Sequence, residues 1–203
     1  MRLKPQQIPV ALQQLRQADP ILASVIDRVG PYALKTRKSG FEVLVQAVIS
    51  QQISTAAART IQLRLQSLLP DHRIQPETLR QLSDQQLTDI GFSRQKLSFV
   101  RDLTRCTLEG LIQFPRIRRA SDEAAIEELI QVRGIGRWTA QMYLIFSLGR
   151  PDVFAPDDLG LQNAIARLYP LPPRPRRTDF NTIAESWKPW RSIACWYLWR
   201  SLE

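Results

Sequence analysis

From Asp19 onward, apolar residues recur at intervals of three and four, the period of a helix with one buried face, and short polar breaks separate the runs. No stretch of useful length alternates at every second position, so the pattern predicts an all-α fold. The longest run begins near Phe41 and carries Leu44, Val48, Ala57, Ile61, Leu65 and Leu68, with Pro70 as its stop; it reads as one core helix. Pro76 opens a short helix ending near Leu82, and Ser83 with Gln86 forms a capping box for another that stops at Gly91. Ser93 caps a helix bearing Leu97, Val100, Leu103, Thr107 and Leu111, and Ser121 caps one bearing Ile126, Leu129 and Ile130. Further helices are predicted over 137–147, ending at Gly149, and from Asp157 or Asp158 through Leu168. The stretch Pro170-Leu171-Pro172-Pro173-Arg174-Pro175-Arg176-Arg177 reads as an extended basic linker, because its prolines prevent a helix. Thr178 and Asp179 restart a helix that Pro189 interrupts. The last segment carries Trp190, Trp196, Tyr197 and Trp199, an aromatic cluster that from pattern alone favours core packing over a ligand pocket.

Composition narrows the class. The 203 residues are 44% hydrophobic and 23% charged, with 8 Gly and 14 Pro, which suits one large or two small globular domains and excludes collagen-like and disordered chains. Lys plus Arg exceeds Asp plus Glu by 28 to 19, a net +9, which favours a polyanionic partner such as nucleic acid without choosing between DNA and RNA. Cys106, Cys195 and the single histidine, His72, offer no paired metal-ligand spacing, so neither a structural zinc site nor a four-cysteine iron–sulfur cluster can be built from them. The N-terminal residues lack a signal-peptide core and no apolar run reaches bilayer length; the expectation is an intracellular protein with no membrane association.

The chemistry concentrates around Arg133-Gly134-Ile135-Gly136. Two glycines flanking an apolar residue permit a tight turn with close backbone approach, and the amides that open the next helix favour an anion such as a phosphate oxygen. A plain helix–helix connection would look the same, since G-x-G alone is a weak signal.

In its wider context the turn is more specific. Leu129-Ile130-Gln131-Val132-Arg133-Gly134-Ile135-Gly136-Arg137-Trp138-Thr139-Ala140 resembles the helix-hairpin-helix of base-excision DNA glycosylases, and Val153-Phe154-Ala155-Pro156-Asp157-Asp158 resembles the aspartate-ending loop that follows it in them. With Gln46-Ala47-Val48-Ile49-Ser50-Gln51-Gln52-Ile53-Ser54 and Trp187-Lys188-Pro189-Trp190-Arg191-Ser192, the chain is most similar to the 3-methyladenine DNA glycosylase II (alkylbase DNA glycosylase) family. The resemblance implies an all-α fold with two helical subdomains flanking a DNA-binding cleft. One spans 40–150 with the hairpin, and the other combines 1–39 with 151–203. The bacterial family member carries an extra N-terminal β-rich domain, and no counterpart of it is expected within these 203 residues.

The resemblance also assigns roles. Asp158 falls on the catalytic aspartate, with Asp157 the better N-cap of the pair and the reverse left open. Trp138 stands where bifunctional relatives carry a lysine nucleophile, which implies a monofunctional enzyme, since a Schiff base requires an amine. Trp138 and Trp199 correspond to an aromatic base pocket that suits cationic alkylated purines such as 3-methyladenine and 7-methylguanine, and Met142 replaces a typical tyrosine there. His72 matches no catalytic position, consistent with a leaving base that needs no general acid. Gln52 matches the wedge that fills the gap left by the extruded base. Arg133, Gly134, Ile135, Gly136 and Arg137 correspond to the phosphate-binding hairpin, where the carbonyls of Ile130, Val132 and Ile135 would hold a structural cation; catalysis would require no cofactor. Arg150, Lys188 and Arg191 are candidate further phosphate contacts. The implied partner is double-stranded DNA containing alkylated bases, and a monomer is expected. Two other readings stay open: a glycosylase for oxidised, deaminated or mismatched bases, and a catalytically silent DNA-binding module.

Overall fold

The computed structural model describes residues 2–36 and 40–203. The stretch 37–39, beside the boundary expected at 39/40, lies outside the described residues. Among the described residues the chain is helical without a strand. The helices are α1 (Ile8–Ala18), α2 (Pro20–Val29), α3 (Gly40–Ser50), α4 (Thr55–Ser67), α5 (Pro76–Gln81), α6 (Asp84–Asp89), α7 (Arg94–Leu108), α8 (Phe114–Arg119), α9 (Asp122–Leu129), α10 (Arg137–Tyr143), α11 (Leu159–Leu168), α12 (Arg177–Glu185) and α13 (Arg191–Arg200). Leu144–Leu148 continues α10 as a turn of π-helix. The absence of a strand among the described residues follows from the period of the apolar positions.

Two features differ from the sequence reading. The run expected as one helix from Phe41 to Leu68 is two, α3 and α4, because Ser54 caps α4 by accepting the Ala57 N–H at 3.2 Å and Gln52 adopts φ 58°. The intervening 50–54 segment supplies almost no apolar side chain to hold a helix across the gap. Helices α1 and α8 carried no recognised start signal; each has a proline in its first turn, where the missing N–H costs nothing.

The chain divides into two compact units, residues 37–143 and residues 1–36 with 144–203. In the first, α3 packs against α4, α7 and α10, and its Leu44, Val45, Val48 and Ile49 are fully buried. In the second, the buried Asp19 caps α2 through the Leu22 N–H at 2.9 Å, and it also accepts the Tyr169 hydroxyl and the Trp187 indole N–H, both at 2.7 Å. Three donors satisfy a carboxylate that would otherwise be costly to bury. Burial, then the neighbouring Asp19, pushes the Tyr169 phenol up, so this network stays protonated at the tyrosine. Trp187, Trp190 and Tyr197 are buried as core packing requires, whereas Trp196 and Trp199 are half-buried.

Candidate active site and hairpin

The loop before α11 fixes an acid by local geometry. Asp158 has extended backbone (φ −75°, ψ 117°), and its N–H donates back to the Ala155 carbonyl at 3.0 Å. It is 8% exposed and caps α11, its Oδ1 accepting the Leu161 N–H at 2.8 Å and the Trp199 indole N–H at 2.9 Å. The N-cap expected at Asp157 is thus corrected to Asp158. Asp157 is exposed and pairs with Arg177 at 3.5 Å. The reason is position: only the residue directly preceding the first helical turn can turn its side chain onto the N2 and N3 amides.

A Cβ added at Gly160 would lie 3.0 Å from Asp158 Oδ1 and 3.1 Å from the Trp199 ring, so the absence of a side chain there lets the acid and the indole meet. Trp199 also lies against Phe146, with ring centroids 5.4 Å apart and planes at 31°. Phe146 and Gly160 were not singled out in the sequence; each contributes through a contact whose partner is distant in the chain. The neighbouring Cys195 is fully buried, and burial pushes its thiol far above the ordinary range, which removes it as a nucleophile.

In the unit 37–143, α9, the turn and α10 form a helical hairpin. Gly134 has φ 83°, and a Cβ there would fall 2.1 Å from the Phe99 ring, so this position requires glycine twice over. The turn is tied down from both sides: Asp102 Oδ2 accepts the Arg133 N–H at 2.8 Å, and the Gln51 side chain donates to the Gly134 carbonyl at 2.9 Å. Burial raises the Asp102 carboxyl, but the hydrogen bond from the Arg133 amide and the pairing with Arg105 outweigh it and hold the carboxyl below its ordinary value. The Arg133 amide is consequently occupied by protein.

Gln51 links the hairpin to Gln52, which projects from a left-handed residue (φ 58°) at the end of α3. The buried Lys96 donates to the Ile49 carbonyl at 2.7 Å, satisfying the C-terminal end of α3 directly before this turn. Desolvation by burial pulls the Lys96 ammonium below its ordinary value. Trp138, 39% exposed, and the half-buried Met142 lie one turn apart on α10. Asp158 and Trp199 belong to the other unit, so the pocket residues expected from the sequence are divided between the two.

Several expected phosphate ligands are engaged. Arg137 forms a two-pronged pair with Glu123 at 2.7 and 2.6 Å, which holds the Glu123 carboxyl below its ordinary value. Lys188 pairs with Glu185 at 2.7 Å, Arg191 with Asp152 at 2.7 Å, and Arg150 is buried. His72 is exposed, its Nδ1 3.1 Å from the Gln66 carbonyl oxygen. The hairpin carbonyls expected to hold a cation include that of Val132, which already accepts the Ile135 N–H at 3.0 Å and keeps a second lone pair.

A helical hairpin followed by a capped acid is a recurrent arrangement, and the match extends well beyond it. Residues 45–191 fit the model of the HhH-GPD superfamily base excision DNA repair proteins, and the chain belongs to that superfamily. Among its relatives, DNA-3-methyladenine glycosylase 1 of Schizosaccharomyces pombe is 35% identical over 182 residues, covering 89% of this chain and 80% of the relative. A Bacillus subtilis protein named putative DNA-3-methyladenine glycosylase YfjP is 34% identical over 171 residues, 81% of this chain; the match spans 60% of that relative's length. The solved structure of the Schizosaccharomyces pombe 3-methyladenine DNA glycosylase Mag1, in complex with abasic DNA, superposes with a TM-score of 0.86 at 34% identity, covering 94% of this chain and 95% of that one.

Proposed function

We propose that the chain is a monofunctional DNA glycosylase that extrudes alkylated, cationic purines such as 3-methyladenine and 7-methylguanine and releases them by hydrolysis. The observation that carries the reading is the buried Asp158 carboxylate fixed by the Trp199 indole and the Leu161 amide, in a chain whose relatives are 3-methyladenine glycosylases. As the bond between the base nitrogen and C1′ breaks, its electron pair leaves with the base, which departs neutral because it carried a positive charge. Positive charge then develops on the sugar, and a fixed anion screened from water stabilises it. A water oxygen bonds to C1′ and gives up a proton to the carboxylate or to solvent, leaving an abasic site.

Trp138 supplies no amine, so no covalent intermediate forms and no strand is cut. Trp199, backed by Phe146, offers a ring face to a cationic base. Gln52 acts as the wedge, held out by its left-handed backbone and by the Gln51 tie to the hairpin. The carbonyls of Ile130, Val132 and Ile135 are hard oxygen donors that suit an alkali or alkaline-earth ion; it would order the turn and add positive charge toward a phosphate. The partner is double-stranded DNA carrying alkylated bases, bound by a monomer.

The test is base release from duplexes carrying 7-methylguanine, 3-methyladenine, hypoxanthine or 8-oxoguanine, with and without alkali. Release of the methylated bases, and strand breaks only after alkali, is expected. Preferential release of a neutral lesion, or scission without alkali, would overturn the reading.

A further inference from the structure

Helix α11 leads away from Asp158 to Leu168, yet Arg177, which opens α12, lies 3.5 Å from Asp157. The chain therefore returns along α11. A helix of ten residues is about 15 Å long, and seven residues extended at about 3.1 Å each span that distance with slack. The return segment carries Pro170, Pro172, Pro173 and Pro175, which fix their own φ and bias the preceding residues toward extended backbone. Residues 172–178 are all exposed. Between 159 and 178 the sequence has no acidic residue and four arginines, Arg167, Arg174, Arg176 and Arg177. Arg177 is spoken for by Asp157, whereas Arg174 and Arg176 have no acidic partner among the described residues. Asp179 accepts the Arg176 backbone N–H at 2.6 Å, which anchors the end of the segment and leaves the guanidinium out of that bond.

We infer that the 170–177 segment is a phosphate rail: Arg174 and Arg176 contact backbone phosphates of the DNA whose sugar lies at Asp158. The inference rests on the proposed function and extends it to a surface outside the hairpin. Three observations favour it. The guanidinium fork matches a phosphate oxygen pair. The proline-stiffened backbone is already ordered, so binding costs little conformational entropy. The ion pair between Arg177 and Asp157 fixes the rail's end one residue from the acid itself. An exposed proline-rich strand could also dock in an aromatic-lined groove of a protein; the run of arginines without acids favours the polyanion.

The experiment uses the full chain and a duplex containing a tetrahydrofuran abasic analogue, with the dissociation constant measured between about 50 and 200 mM salt. The double variant Arg174→Gln/Arg176→Gln is expected to bind more weakly and to reduce the slope of log K against log salt by about 1.8, roughly 0.9 for each lost phosphate contact. The triple variant Pro172→Gly/Pro173→Gly/Pro175→Gly keeps the charges, so it should lose affinity while keeping the slope. An arginine double variant with wild-type slope and affinity would overturn the rail and leave a polyproline-binding partner as the reading of this segment. That result is distinguishable from failure of the functional reading, in which the wild-type chain itself neither binds the duplex nor releases a methylated base.

Discussion

Replacing Trp199 by phenylalanine keeps an aromatic ring against Phe146 and removes one atom that matters, the indole N–H that donates to Asp158 Oδ1 at 2.9 Å. A hydrogen bond to a charged group contributes about 1.5–3 kcal/mol, which corresponds to roughly a tenfold to 150-fold change in rate if it is lost only from the transition state. The Leu161 amide remains at 2.8 Å on the same oxygen, so the acid stays attached to α11 and the effect falls at the lower end, about ten- to thirtyfold. Through this bond Trp199 acts as a positioning residue for Asp158, separately from the ring face it is proposed to offer the base. Single-turnover base release from a 7-methylguanine duplex measures the rate, and binding to the abasic analogue measures affinity separately. A fall in the release rate with abasic-DNA affinity within about twofold of wild type is expected. Release at the wild-type rate would refute the claim that this contact sets the carboxylate.

Other consequences concern the hairpin and its neighbours. Gly134→Ala places a methyl 2.1 Å from the Phe99 ring at φ 83°, so it should destabilise the fold by about 2 kcal/mol or more and weaken DNA binding; denaturant midpoints and anisotropy read both. Asp102 is held below its ordinary value when folded, so its contribution to stability is fully present above about pH 4 and is lost as pH falls through the lower folded value; Asp102→Asn should flatten that part of the acid limb of urea midpoint against pH. Gln52→Ala leaves the backbone turn in place and removes the wedge, so base release should slow by about tenfold or more while nonspecific duplex binding changes little; an unchanged release rate would argue against the wedge.

The sequence made the helical periodicity and the caps legible, since Ser83, Ser93 and Ser121 each cap the helix expected of them. It did not reveal the break between α3 and α4, because Phe41 to Leu68 keeps a helical period on both sides of Ser54, and a capping serine inside such a run looks like an ordinary polar position. Residues of the candidate site were legible where a local motif carried them, as at the Gly134 turn and the acid pair Asp157-Asp158. They were invisible where a long-range contact defines them: Phe146 beside Trp199, Gly160 beneath the indole, and Asp102 on the Arg133 amide. The choice between Asp157 and Asp158 as cap likewise required knowing which carboxylate is buried. Arg137 and Arg191 were legible as charges but not as members of ion pairs, since Glu123 and Asp152 come near only on folding, whereas Lys188 pairs locally with Glu185 three residues before it.

The central claim is that the carboxylate of Asp158 stabilises positive charge on the sugar. Asp158→Asn keeps an oxygen for the Leu161 and Trp199 donors while removing the negative charge, so the cap of α11 and the indole contact are retained. Release of 7-methylguanine from duplex DNA in a single turnover, compared between wild type and this variant, should show a loss of at least about a thousandfold, with abasic-DNA binding preserved. Release by the variant at a rate within about threefold of wild type would contradict the account.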